Sequence, residues 1–283
     1  MNRDQIWEEF TAISRKPDNQ IDLARAALLI SNGMNPRLNP DIELLDLDSL
    51  AKAAKNRIGD THNSLYSINA LSEFLFDELG FKGNEKDYYN PDNSFLDRVL
   101  TTRLGIPLSL SLLYIEIGKR IGMQFVGIGM PGHFLVRHET SKDYYIDTYN
   151  RGVLLSPDEC RKIFEHASLG KVVWNANFLN PVDNKTFICR MLRNLKTAYL
   201  QKEDHGGALS ILDLLLCIQP NADLDLRDRG LVNYRLGRYN EAIFDLKGYV
   251  ARDPEGPDVQ AVEELVGRIL SKIKTEGLNG EWL

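Results

Sequence analysis

The chain has 283 residues, 43% of them apolar, which is enough for two ordinary hydrophobic cores. Its formal net charge of -6, with 34 Lys and Arg scattered along the chain, excludes the basic field that gathers nucleic acid or an anionic membrane. The opening MNRDQIWEEF has no secretory signal character, no apolar run approaches the roughly 20 residues that span a bilayer, and Cys160, Cys189 and Cys217 fit no zinc spacing; a cytoplasmic chain with reduced thiols, no metal and no cofactor is expected.

The first 80 residues read as helical. Residues 22–31 (DLARAALLIS) and 47–58 carry apolar side chains at three and four spacing, with Asp at the expected caps. Residues 67–79 (SINALSEFLFDEL) repeat the pattern and stop at Gly80, where glycine accepts the left-handed conformation. Residues 82–94 are polar and turn-rich. A strong helix is predicted over 107–120 (PLSLSLLYIEIGKR), with proline in its first turn and Gly122 past its end; it is apolar nearly all round, as a central helix should be. The period then changes to short β-like runs at 124–129, 133–139 and 144–147, which predict a small antiparallel sheet. Residues 156–167 (SPDECRKIFEHA) close this part as a helix with Ser156 as N-cap and proline at the first helical position.

Beyond Asn180-Pro181 only helical patterns remain. Ala208 matches Ala242, Leu212 matches Leu246 and Pro220 matches Pro254, each at an offset of 34 residues, the period of tetratricopeptide repeats. The second copy, residues 230–254, has Gly230 and Ala242 where paired helices meet; the first is looser, with Lys196 in the place of Gly230. Because isolated repeats cannot bury their faces, residues 258–273 are expected to cap the stack and 182–201 to lead into it.

The most residue-specific segments are Asn93-Ser94-Phe95-Leu96, Arg103-Leu104-Gly105-Ile106-Pro107-Leu108-Ser109, Pro131-Gly132-His133-Phe134-Leu135 and Tyr145-Ile146-Asp147. Together they resemble the bacterial SirB family, a transglutaminase-like core of the papain-like superfamily joined to tetratricopeptide repeats, over nearly the whole chain. The resemblance implies an α+β fold. A helical N-terminal region and a core of one central helix against a small antiparallel sheet occupy 1–180, and an all-α repeat domain occupies 181–283. In active members a cysteine at the N-terminus of the central helix is the nucleophile, a histidine the base and an aspartate its orienter. His133 and Asp147 match the last two in the expected chain order.

The cysteine position falls on Pro107, which has no nucleophile, and Ser109 lies two residues further into the helix. Two readings stand for Ser109: a substitute nucleophile served by His133, or a helix-start serine bonded to backbone. Two stand for His133 as well: a residue of a binding pocket descended from an enzyme, or a structural partner of Asp147. Arg98, Arg103 and Arg137 are candidates to hold an acidic ligand or to brace loops, and Tyr88, Tyr89, Tyr144, Tyr145 and Tyr149 to line a peptide groove or to pack. Residues 127–132 (GIGMPG) have the dinucleotide glycine spacing, but a strand and not a helix follows, so they are read as a turn that delivers His133. The expected function is non-catalytic binding of a protein or peptide, with Arg103, Pro107, His133 and Tyr145 as binding candidates. The alternative is a cysteine-less hydrolase or transglutaminase-type enzyme using Ser109, His133 and Asp147. A scaffold acting through the repeats alone is the third class.

Overall fold

A computed structural model describes residues 3–59 and 64–276, and the chain divides into two compact units, Met1–Met191 and Leu192–Leu283. The first unit opens with helices α1 (Arg3–Ser14), α2 (Leu23–Met34), α3 (Pro40–Ile58) and α4 (Ser64–Ser72). The N-caps of α2 and α3 have local causes. Asp22 accepts the amide of Arg25 at the start of α2, and Asn39 accepts that of Asp41 ahead of Pro40 in α3. The segment expected to run as one helix through residue 79 changes after Ser72 into a π-helical turn, Glu73–Glu78, before Gly80 ends it at a φ of 76°.

Strand β1 (Lys82–Gly83) pairs in parallel with β2 (Leu104–Gly105), and between them lie a 3-10 turn at Pro91–Ser94 and the short helix α5 (Leu96–Thr102). Helix α6 (Pro107–Arg120) follows within the limits expected from sequence, and every residue from Pro107 to Gly118 is buried. Tyr114 at its middle is 0% exposed. A four-stranded antiparallel sheet then forms in chain order from β3 (Phe125–Ile128), β4 (Leu135–His138), β5 (Tyr145–Asp147) and β6 (Val153–Leu155). One close approach is required here, because a Cβ on Gly118 of α6 would fall 2.3 Å from the Phe125 ring. Helix α7 (Pro157–Ser168) begins with the reciprocal Ser156 and Glu159 capping bonds and buries Cys160 and Phe164 against Ile128, Leu135, Tyr145 and Leu155. Helix α8 (Asn184–Gln201) starts in this unit.

The second unit contains α9 (His205–Ile218), α10 (Asp223–Arg235), α11 (Tyr239–Arg252) and α12 (Val259–Glu276). Helices α9 and α11 are the repeated element, with Ala208 and Ala242 both 0% exposed. A Cβ on Gly230 of α10 would stand 2.7 Å from Leu246 Cγ, so this crossing needs glycine. Val259, Val262, Val266 and Ile269 of α12 cover the apolar face of α11, as a terminal cap should. No described helix is long and apolar enough to cross a membrane.

Candidate functional site

His133 stands on the loop between β3 and β4, just after Gly132, whose φ of 78° suits glycine. The pairing of Val136 with Ile146 sets β4 and β5 in register, and His133 Nε2 meets Asp147 Oδ2 at 2.9 Å. Asp147 is 1% exposed and also accepts the backbone amides of Tyr149 and Asn150 at 3.1 and 3.2 Å and the Asn150 side-chain amide at 2.8 Å. Burial pushes the Asp147 carboxyl pKa up, but the hydrogen bond and charge of His133 and the bonds from Asn150 outweigh it and hold the group below its ordinary value of 3.8. With Asp147 ionised, His133 Nε2 carries the shared proton. Nδ1 makes no hydrogen bond to a described residue.

The depressed pKa has a consequence for stability. A carboxyl whose folded value lies below its unfolded value stabilises above the unfolded value and loses that contribution as pH falls through the folded one. Asp147→Asn should therefore cost about 2 kcal/mol at pH 7, and the difference from the native chain should shrink below about pH 4. Urea unfolding at pH 7 and at pH 3 checks this; a difference that stays constant would contradict it.

The sequence-derived candidates separate in the structure. Ser109 is 1% exposed, its Oγ donates to the Asn93 carbonyl at 2.5 Å and accepts the Ile106 amide at 3.0 Å, and no bond joins it to His133. Ser111 Oγ lies 2.9 Å from Thr148 Oγ1, which reaches the Pro107 carbonyl at 3.4 Å and so ties the start of α6 to the residue after Asp147. Pro107 is buried at the first position of α6. Arg103 takes a left-handed φ of 60° at the end of α5 and gives its guanidinium to the Leu79 carbonyl. Arg98 pairs with Asp92, and the buried Arg137 donates to the Ser141 carbonyl. Tyr145 is 5% exposed and packs in the core between the sheet and α7. Cys160 lies in the same core, and burial, then the charge of Asp147, pushes its thiol up to about 12. At neutral pH that sulfur is a protonated thiol with no route to solvent.

Tyr149 and Asn150 connect the histidine and aspartate to a cavity of about 580 Å³, which Lys82, Gly83, Lys86 and Leu104 also line. The Tyr149 ring meets the His133 ring edge-on at 6.5 Å and the Tyr88 ring at 6.4 Å. A Cβ on Gly83 would fall 2.3 Å from that ring, so glycine at 83 is what lets Tyr149 form the wall.

Arg190 of α8 was not legible from the sequence. Its guanidinium donates to the carbonyls of Gly129 at 2.6 Å, Met130 at 3.2 Å and His133 at 3.4 Å, and lies over the Phe134 ring. It clamps the loop that carries His133, and burial lowers its pKa. No spacing signal marks a residue 57 positions beyond the loop it holds. Among the described residues no group of three His, Cys, Asp or Glu side chains could hold a metal ion.

Residues 43–193 match the transglutaminase-like superfamily and residues 195–267 the tetratricopeptide repeat. A UPF0162 protein of Xylella fastidiosa (strain Temecula1) is 31% identical over 261 residues, covering 91% of this chain and 92% of its own. A UPF0162 protein of Vibrio cholerae is 28% identical over 88% of this chain and 93% of its own. The human F-box only protein 21 is 28% identical over 87% of this chain and 44% of its own length.

Proposed function

The chain belongs to the transglutaminase-like superfamily, and from that premise we propose that it is a non-catalytic recognition module for a protein or peptide, working in the cytosol through its old catalytic cleft and its repeats. The observation that carries this reading is the start of α6. Where acyl transfer needs an attacking group, the helix offers Pro107, and the first hydroxyl along it, Ser109, spends its hydrogen bonds on Asn93 and Ile106. The base and its orienter are nevertheless kept in hydrogen-bonding geometry, one residue layer behind the cavity that Tyr149 and Asn150 line. A fixed imidazole with a free Nδ1 holds a ligand N–H or O–H as well as it holds a nucleophile's proton. Repeats of the kind matched at 195–267 generally mediate protein–protein interaction, which supports the same reading.

The test is a selection of displayed peptides on the immobilised full chain, run beside hydrolysis assays on a quenched-fluorescent peptide mixture and an isopeptide-linked dipeptide. Selected peptides should bind saturably without turnover, and His133→Ala should weaken them about tenfold, the scale of one lost hydrogen bond in a buried site. Turnover that disappears in His133→Ala would overturn the reading in favour of an enzyme.

A further inference from the structure

The cavity lined by Tyr149 and Asn150 has an unbalanced rim. Lys82 and Lys86 are both exposed, and neither has a carboxylate partner among the described residues. The neighbouring arginines are committed: Arg98 to Asp92, Arg151 to Asp77 and Arg103 to the Leu79 carbonyl. Among the described residues, Glu85 is the one acidic side chain that lines the cavity. In a chain of net charge -6, two uncommitted ammonium groups on one rim are a local reversal of sign.

The backbone that carries them is pinned. The Asn84 side chain accepts the Asp87 amide at 3.2 Å and donates to Asn93 Oδ1 at 2.9 Å, while Asn93 Nδ2 donates to the carbonyls of Asp87 at 2.7 Å and Tyr88 at 3.1 Å. Lys82 is itself in the β1–β2 pair. The cations thus stand on a loop that pays little ordering entropy when a ligand arrives. A volume of about 580 Å³ admits several residues of extended chain, and Tyr149, braced from behind by Tyr88, gives that chain an apolar wall.

We propose that this cleft takes an acidic peptide segment, whose carboxylates meet Lys82 and Lys86 while its backbone and apolar side chains lie along Tyr149 toward His133. The inference rests on the recognition reading above and adds the chemistry of the ligand to it.

The probes are a fluorescein-labelled peptide of alternating Glu and Leu and the same peptide with Gln for Glu, titrated against the full chain by fluorescence anisotropy. The Glu peptide should bind at least about tenfold more tightly than the Gln peptide and lose that advantage as salt is raised. Lys82→Glu with Lys86→Glu should abolish the preference, while Lys142→Glu, an exposed charge reversal on the turn between β4 and β5, should leave it. Equal affinity for the two peptides, no saturable binding of either, or a preference that survives the double substitution would overturn the proposal; circular dichroism of the double variant guards against misfolding. Mass spectrometry of the bound peptide separates the two claims. Cleavage of the Glu peptide would sink the non-catalytic reading and leave the acidic preference standing.

Discussion

Replacing Tyr114 by alanine should remove about 4 kcal/mol of stability from the first unit, the scale for deleting a fully buried aromatic side chain. Tyr114 is 0% exposed at the middle of α6, stacked on Phe76 with centroids 6.1 Å apart and edge-on to Phe125 at 5.1 Å. Its hydroxyl donates to the Ile68 carbonyl at 3.1 Å and lies 3.2 Å from Ser72 Oγ. Alanine would leave a void between the π-helical turn, α6 and the sheet, and the rigid rings around it cannot collapse to fill it. Tyr114→Phe keeps the packing and strands one carbonyl, so it should cost about 1 kcal/mol. Urea unfolding of the first unit reads both, and an alanine loss below about 2 kcal/mol would show that α6 is not the wall on which the unit is built.

Asp245→Ala should destabilise the second unit by about 3 kcal/mol, because it leaves a cation facing a buried space. Asp245 is 2% exposed and receives Arg229 in a fork, Nη2 to Oδ1 at 2.7 Å and Nε to Oδ2 at 2.8 Å, with Asn233 adding a longer bond at 3.3 Å. The loss falls at the low end for a broken buried pair since Arg229 is a quarter exposed and keeps Asp213 at 3.1 Å. Removing both partners tests the cause. Arg229→Met with Asp245→Leu should recover most of the loss, as apolar replacement of a buried pair does. A double variant as unstable as Asp245→Ala alone would assign the effect to packing around Gly230 and Leu246.

What the sequence carried depended on how local each cause was. The limits of α6 were readable because proline at its first turn and Gly122 beyond its end are cues within the segment. The π turn at Glu73–Glu78 was not, since an apolar pattern at three and four spacing looks the same before one residue is inserted into a turn. Helix α5 escaped notice at seven residues with a left-handed arginine as its stop, and β6 at three. In the site, residue types and chain order pointed to His133 and Asp147, but their 2.9 Å contact depends on strand register. Tyr145 shows the limit of motif reading: it is part of a segment that carried the resemblance, and although it shares a strand face with Asp147, the packing of α7 against that face buries it in the core with Cys160. The nearness of Cys160 to Asp147 and the Arg190 clamp follow from helix packing across long sequence separations, which no window of sequence encodes.

The unbroken burial of α6 from Pro107 to Gly118 also governs how this chain can change over generations. Whatever chemistry the cleft performs, substitutions along that helix are filtered first by fit, since each one meets the sheet, the preceding helices or the pinned loop. Residues kept among descendants at these positions will record selection for foldability. The freedom to diversify, and therefore the trace of changing partners, will collect instead on exposed positions of the cavity rim such as Lys82, Glu85 and Lys86, where a new side chain alters what is bound without disturbing what is built.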